Sequence, residues 1–210
     1  SWLIKTETDF DRYLDEQLKK LAVEQIDFYL LHALNKNYWT NLNKLDVFKW
    51  ADKAIASGKI AHLGFSFHDE APLFKEIVDA YDWAMCLIQY NYMDIYNQAG
   101  VDGLRYAASR DIAVVIMEPL LGGRLASPAP AVQSAVWYQA MENHTPVEWA
   151  LKWLWNQPEV ATVLSGMSTM EQVRDNIASA SSSKIGELTS QELALFDQAR
   201  ELQESLTAIP

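Results

Sequence analysis

Short apolar runs alternate along the chain with longer stretches in which apolar residues recur at helical spacing. The runs predict strands over residues 26–32, 60–65, 85–90, 112–117 and 160–164. The stretches between them carry apolar residues three and four positions apart, which is typical of helices that pack one face on a sheet. Strands that alternate with helices imply a parallel sheet covered by helices, so the pattern predicts an α/β fold.

Residues that favour helix starts support this alternation. Thr145, Pro146 and Glu148 combine a cap, a proline at the first helical position and a carboxylate three residues after the cap. Ser168 and Glu171 have the same spacing, and they predict a helix that begins near Ser168 and runs to about residue 180. Two helix starts of this kind in the second half of the chain continue the alternation of strand and helix.

The first strand is expected to end at His32, with a loop over residues 33–40 after it. In parallel α/β proteins the carboxyl ends of strands carry the chemistry, which makes His32 a candidate site residue. A histidine beside an apolar run is, however, more often a hydrogen-bonded core residue. The pattern around this one position leaves both interpretations open.

Five strand and helix units in unbroken order, with no glycine-rich fingerprint in the first unit, favour a (β/α) barrel over a doubly wound sheet. A TIM barrel has eight strands, whereas this sequence supplies five. We therefore expect a single domain over residues 1–210 that forms about strands 4–8 of a TIM barrel. The first three β/α units are expected to be absent from this sequence, and the alternative is an open piece with exposed strand edges.

Composition and charge exclude several classes of function. The 210 residues are 50% hydrophobic and 21% charged, as in a globular domain. A formal net charge of -11 argues against nucleic acid as a partner, because the chain has no basic stripe to neutralise phosphates. The single cysteine, Cys86, fits a reducing cytosol, and no apolar run reaches the length of a membrane span. We therefore expect a cytoplasmic protein without nucleic-acid or membrane partners.

Other catalytic arrangements have little support in the sequence. His62 falls inside a predicted strand and does not combine with His68 and Asp69 in the geometry of a metal site. No serine has the sequence context of a nucleophile elbow, so hydrolysis is not indicated. The remaining candidates are the polar residues that follow the predicted strands.

Several short motifs resemble, in their order and spacing, the aldo/keto reductases, and the resemblance covers almost the whole chain. The motifs are DRYLD at 11–15, IDFYLLH at 26–32, GKI at 58–60, LGFS at 63–66, IQYN at 88–91, MEPL at 117–120 and LSG at 164–166, followed by Gln172 and Asn176. They are most similar to a microbial subgroup in which an iron–sulfur cysteine segment often follows the barrel. This chain has no such cysteines, so no iron–sulfur cluster is expected within it.

The resemblance implies an oxidoreductase that uses NADPH, with NADH possible, to reduce an aldehyde or ketone to an alcohol by hydride transfer. The catalytic set of the family is an aspartate, a tyrosine, a lysine and a histidine. Of these the histidine alone maps here, onto His32, and it is expected to orient the substrate carbonyl. The other three would lie on the absent units, so the 210 residues by themselves are expected to be inactive. The alternative is a cofactor-binding regulatory or structural subunit without significant turnover.

The resemblance also implies a set of cofactor-binding positions. Ser66 and Gln89 match residues that bind the nicotinamide carboxamide, and Met117 stands where an aromatic residue commonly stacks on the ring. The loop along the pyrophosphate corresponds to Glu118, Pro119, Leu120, Leu121 and Gly122, and the adenosine end corresponds to Ser168, Gln172, Asp175 and Asn176. The Glu118 carboxylate itself would repel phosphate and is expected to be structural. Without the resemblance, Ser66 and Gln89 are ordinary strand-end residues and the helix after Ser168 is an ordinary capped helix. The physiological substrate and the oligomeric state stay open.

Overall fold

The computed structural model describes residues 1–140 and 144–207. Its strands form one sheet in chain order. The strands are β1 (Ile26–Leu34), β2 (Ile60–Phe67), β3 (Met85–Gln89), β4 (Ala113–Met117) and β5 (Val160–Val163). All strands predicted from the apolar runs are therefore present, with ends that differ by one or two residues.

Helices separate these strands along the chain, as the periodicity predicts. They are α1 (Glu7–Leu21), α2 (Lys36–Lys44), α3 (Val47–Ala56), α4 (Ala71–Asp79), α5 (Gly100–Ser109), α6 (Pro130–Ala135), α7 (Pro146–Trp155), α8 (Met170–Ser182) and α9 (Ser190–Thr207). The predicted start of α7 is confirmed, because the Thr145 hydroxyl accepts a hydrogen bond from the Glu148 amide and the Glu148 carboxylate accepts one from the Thr145 amide. Two short 3-10 turns, Arg124–Ala126 and Trp137–Gln139, lie between β4 and α7.

The prediction of a loop over residues 33–40 is wrong. Strand β1 continues two residues past His32, and α2 begins at Lys36. Asn35 caps this helix, since its side-chain oxygen accepts hydrogen bonds from the amides of Asn37 and Tyr38 at 3.0 Å each. The polar residues after His32 are therefore helix-start residues, which an isolated polar run does not distinguish from a loop.

Strands β1, β2 and β3 pair in parallel, as the α/β pattern requires. Gly64 on β2 faces Met85 on β3, and a Cβ atom at Gly64 would lie 2.8 Å from the Met85 carbonyl oxygen. Such a distance is shorter than a non-bonded contact permits. Glycine at this position thus allows the two strands to approach each other closely.

Contacts within the chain group its residues into two compact units. Unit 1 comprises Ser1–Ile88 and Gln98–Val114, and unit 2 comprises Gln89–Asn97 and Val115–Pro210. Each unit therefore draws on two separate stretches of sequence.

The core of unit 1 is built on aromatic side chains between β2 and α4. Phe65 and Phe67 are fully buried, and both rings pack against Phe74 of α4 at centroid distances of 5.8 and 5.1 Å. Because successive side chains of a strand point to opposite faces, Ser66 faces away from these rings and toward the other side of the sheet. The packing of two phenylalanines thus sets the direction of the serine between them.

The core of unit 2 gathers aromatic residues from α7, α9 and the segments before them. Trp149 is fully buried and stacks on Trp137 at a centroid distance of 5.9 Å, and Phe196 lies against both rings. The members of this buried cluster are Tyr92, Leu125, Val132, Val136, Trp137, Trp149, Ala150, Phe196 and Ala199. Trp149 of α7 therefore serves packing.

Cys86 lies in the interior of β3, where burial raises the pKa of its thiol to about 12. The thiol is therefore protonated near neutral pH and unreactive, as expected of a core residue. Within residues 1–140 and 144–207, no helix combines the length and apolar character needed to cross a membrane.

Candidate functional site

Strand β1 is irregular at His32. Leu31 and Leu34 of β1 are three residues apart, but they pair with Phe65 and Phe67 of β2, which are two residues apart. Ala33 takes up the extra residue, and its φ of 53° lies in the left-handed region. A bulge of this kind turns neighbouring side chains away from the regular alternation of the strand. His32 is exposed, as are Asp27 and Phe28 earlier in this strand, which lies at the edge of the sheet.

Ser66 stabilises this bulge from the neighbouring strand. Its hydroxyl oxygen accepts a hydrogen bond from the Ala33 amide at 2.7 Å, and the side chain is only 2% exposed. Ser66 therefore fixes the backbone beside His32.

The pKa of His32 lies below its ordinary value. Desolvation is the largest cause, and the positive charges of the Ser1 amino group and of His68 add to it. The imidazole is therefore neutral near pH 7. A neutral imidazole can donate a hydrogen bond from one ring nitrogen and accept one at the other.

Phe67 and Asp69, which lie shortly after the LGFS motif, have different tasks. Phe67 is fully buried in the core of unit 1 and offers no polar contact. Asp69 accepts hydrogen bonds from the backbone amides of Lys36 and Glu70 at 2.8 and 2.7 Å, and these bonds lower the pKa of its carboxyl. Asp69 thus joins the end of β2 to the start of α2 and serves structure.

In unit 2, a buried asparagine organises the segment after β3. Asn91 is fully buried, and its side-chain nitrogen donates to the Glu118 carbonyl at 3.1 Å. Its side-chain oxygen accepts from the amides of Met93 and Asp94 at 3.0 and 2.9 Å. Gln89 ends β3 as predicted, and its amide donates to the Asp94 carboxylate at 3.1 Å. The Asn91 side chain therefore ties the 91–94 turn to the loop after β4.

The loop after β4 has unusual backbone geometry. Glu118 and Leu121 have φ values of 55° and 51°, and Gly122 and Gly123 follow at 63° and 89°. The Glu118 carboxylate accepts a hydrogen bond from the Gly122 amide at 2.6 Å. The expectation that this carboxylate has a structural contact is consistent with that bond.

A cavity of about 280 Å³ opens beside this loop in unit 2. It brings together four of the five residues predicted for the pyrophosphate loop with the segment after β5. The lining residues are Glu118, Pro119, Leu120, Gly122, Gly123, Leu164, Ser165 and Gly166. The predicted residues Leu121, Gln89 and Met117 do not line it. Leu121 packs on the hydrophobic cluster of unit 2, and Met117 ends β4 half-buried.

Helix α8 carries the residues predicted for the adenosine end, but its cap differs from the prediction. Thr169 is the cap, and Gln172 is the residue three positions later whose side chain returns to the Ser168 and Thr169 amides. The capping box of Ser168 and Glu171 is therefore wrong by one residue. Asn176 donates to the Ser165 hydroxyl at 3.0 Å, and the Asp175 side chain is exposed.

Three residues have structural tasks that the sequence did not assign to them. Ala33 adopts a left-handed conformation that no feature of alanine announces, whereas Asn91 is visible in the sequence as a polar residue after an apolar run. Thr169 competes with its neighbour Ser168, because each has an acidic or amide side chain three residues later. The signal for a cap was present, and its exact position was ambiguous.

The residues around the cavity and the start of α8 suit a phosphate-bearing nucleotide in all but one respect. Added Cβ atoms at Gly123 and Gly166 would meet nothing within 4 Å, so the backbone there is open to a close ligand. In the first turn of α8, the amides of Met170 and Glu171 lack intrahelical acceptors and could meet an anion, whereas the Gln172 amide already donates to the Thr169 hydroxyl. The exception is Glu118, whose carboxylate lines the cavity. Among the residues the structure describes, no cluster of three histidine, cysteine or acidic side chains could hold a metal ion.

Comparisons with known proteins bear on the family and the fold of this chain. The protein-family model of the aldo/keto reductases matches residues 5–201. The uncharacterized oxidoreductase YrpG of Bacillus subtilis is 23% identical over 190 residues, which cover 79% of this chain and 57% of that protein. The chain thus spans little more than half the length of this curated relative.

Two solved structures show the same fold at low sequence identity. The aldo-keto reductase AKR11C1 from Bacillus halodurans, in its holo form, superposes with a TM-score of 0.77 at 18% identity, over 95% of this chain and 69% of that one. The thermostable aldo-keto reductase Tm1743, in complex with the inhibitor epalrestat, gives 0.73 at 21% identity, over 92% and 67%. The fold is α/β with parallel strands and covers part of a TIM barrel of this type. The family match over nearly the whole length shows that the chain belongs to the aldo/keto reductase family.

Proposed function

We propose that this chain is part of an NADPH-dependent oxidoreductase that reduces an aldehyde or ketone to an alcohol. The observation that carries the proposal is the cavity of about 280 Å³ in unit 2, where the loop at 118–123 and the segment at 164–166 meet. A family that uses nicotinamide cofactors and a glycine-containing cavity beside α8 together favour a dinucleotide as the ligand.

Unit 1 supplies the residue proposed to act on the substrate. When bound, the reduced nicotinamide supplies a hydride to the carbonyl carbon of the substrate. Negative charge then develops on the carbonyl oxygen, and a positioned hydrogen-bond donor stabilises it. His32 is exposed, neutral near pH 7 and set by a bulge, which suits an imidazole that orients this oxygen.

The cofactor roles are proposed residue by residue. The Ser66 hydroxyl and the Gln89 amide are proposed to bind the carboxamide of the nicotinamide, and the Met117 thioether to lie against the ring. The residues proposed along the pyrophosphate are Glu118, Pro119, Leu120, Leu121 and Gly122, and those proposed at the adenosine end are Ser168, Gln172, Asp175 and Asn176. The first turn of α8 suits a 2′-phosphate, which favours NADPH over NADH. A cytoplasmic location agrees with the single buried thiol of Cys86.

Nucleotide binding and turnover test the proposal separately. Calorimetric titration of the 210-residue chain with NADPH and NADH should show binding, with NADPH the tighter ligand. Consumption of NADPH with a panel of aldehydes and ketones should then require a protein that also contains the aspartate, tyrosine and lysine of the family. Binding without turnover in such a protein would favour the cofactor-binding subunit instead. Absence of binding to either nucleotide would contradict the proposal for this chain.

A further inference from the structure

The Glu118 carboxylate lies where an anionic ligand of the loop would be expected. Its Oε2 accepts the Gly122 amide at 2.6 Å, a charge-assisted hydrogen bond, and the side chain is exposed and lines the cavity beside the loop. A cavity that suits a phosphate thus has a negative group of the chain itself at its wall.

The backbone around this contact offers one amide to an anion. Leu121, Gly122 and Gly123 have positive φ values in succession. Here the amides of Leu121 and Gly123 donate to the carbonyls of Glu118 and Leu120, so the Gly122 amide is the one that meets a negative charge.

The loop also has hydrogen bonds that do not involve this carboxylate. The Glu118 carbonyl accepts hydrogen bonds from the Asn91 side chain at 3.1 Å and from the Leu121 amide at 3.1 Å. Both bonds involve the backbone of Glu118 and leave its side chain free to rotate. The carboxylate can therefore leave the Gly122 amide while the turn keeps its conformation.

We propose that Glu118 is a built-in competitor of the nucleotide phosphates. Its carboxylate occupies the Gly122 amide when no nucleotide is bound, and a phosphate group binds this loop only after the carboxylate has moved away. The inference rests on the proposed function, since it assigns the loop to the pyrophosphate. It makes Glu118 a residue that weakens nucleotide affinity.

Two substitutions separate the charge of Glu118 from its hydrogen bond. Glu118→Gln keeps an oxygen that can accept the Gly122 amide and removes the charge, whereas Glu118→Ala removes both. Each should bind NADPH and ADP about five- to tenfold more tightly than the unaltered chain, because one close like charge is removed from a partly exposed site. Adenosine, which has no phosphate, should bind all forms equally. Glu201→Gln removes an exposed carboxylate of α9 and controls for net charge.

The measurements are calorimetric titrations and amide NMR spectra of the full chain, the latter also with inorganic pyrophosphate. Tighter NADPH binding by both variants supports the inference, and equal or weaker binding by folded variants overturns it while the proposed function stands. If no form binds NADPH, the proposed function fails. The inference then survives only if pyrophosphate shifts the Gly122 amide more in Glu118→Ala than in the unaltered chain. If pyrophosphate has no such effect either, both are overturned.

Discussion

The polar groups of the two units are held in place by different means. In unit 1, the bulge beside His32 is held by a neutral hydrogen bond from the Ala33 amide to the nearly inaccessible Ser66 hydroxyl. In unit 2, the loop after β4 combines a buried neutral clamp, Asn91, with an exposed charged contact from Glu118. A buried neutral bond is hard to displace, whereas an exposed carboxylate exchanges readily with water or a ligand. We infer that the bulge of unit 1 keeps its conformation when a ligand binds, whereas the Glu118 side chain in the loop of unit 2 can change its contact.

The clamp in unit 2 should give the largest effect on stability. Asn91→Ala leaves one carbonyl and two amides without their side-chain partners at a fully buried position, which should lower the free energy of unfolding by about 3 kcal/mol. Urea unfolding measures the loss, and Asn97→Ala, at an exposed asparagine of the same unit, is the matched control. A loss as small as that of the control would show that the clamp is not needed to hold the loop.

The bulge in unit 1 should be the next most sensitive feature. Ser66→Ala removes the acceptor of the Ala33 amide in a poorly accessible place and should lower the free energy of unfolding by about 1.5 kcal/mol. Ser57→Ala, which removes a hydroxyl that only returns to its own helix, should cost less. Urea unfolding measures the loss of unfolding free energy in the two variants. Equal losses would mean that the bond between Ser66 and Ala33 does not hold the bulge in place.

The cap of α8 offers a comparison of two adjacent residues. Thr169→Ala removes the side chain that accepts the Gln172 amide and should lower the free energy of unfolding by about 1 kcal/mol. Ser168→Ala, one residue earlier, should cost less, because its hydroxyl contacts the Gln172 side chain and not a helix amide. Thermal unfolding of both variants tests the order, and a larger loss at Ser168 would restore the capping box predicted from the sequence.

The smallest expected effect concerns pH. The pKa of His32 is lowered in the folded chain, so the unfolded chain binds a proton more readily. Stability should therefore be lost as the pH falls through the ordinary histidine range near about 6.5, and it should rise again with increasing pH. Unfolding measured on either side of this range should show a weaker pH dependence in His32→Asn, with His62→Asn as the control. An unchanged dependence in His32→Asn would contradict the preset, desolvated imidazole.

Hydrophobic periodicity predicted the strands and most helices because both depend on which residues face the core. It placed Phe65 on β2, but it ended the strand there, whereas β2 continues through Ser66 and Phe67. It did not predict the bulge at Ala33, since a left-handed alanine is imposed by strand pairing and has no local signature. Nor could spacing alone show which atom the Glu118 carboxylate contacts.

The candidate site could be predicted in its residue content and less well in its internal bonds. Glu118, Pro119, Leu120 and Gly122 do line one cavity, because a short loop keeps neighbours in sequence close in space. The side chains of Gln172 and Asn176 already bond to nearby groups of the chain, so a ligand would have to share or replace these bonds. Hydrogen bonds of this kind depend on side-chain rotamers that a sequence motif does not specify.

A bond near the end of the chain has a consequence for the time course of folding. Arg200 of α9 donates to the Tyr92 carbonyl at 2.7 Å, across 108 positions of sequence. During synthesis, the 91–94 turn leaves the ribosome long before its arginine partner exists. The turn can make its Asn91 bonds earlier, but it must wait for α9 to gain this hydrogen bond, and contacts of such long range form slowly. A nascent chain halted before α9 should therefore expose this turn to proteases.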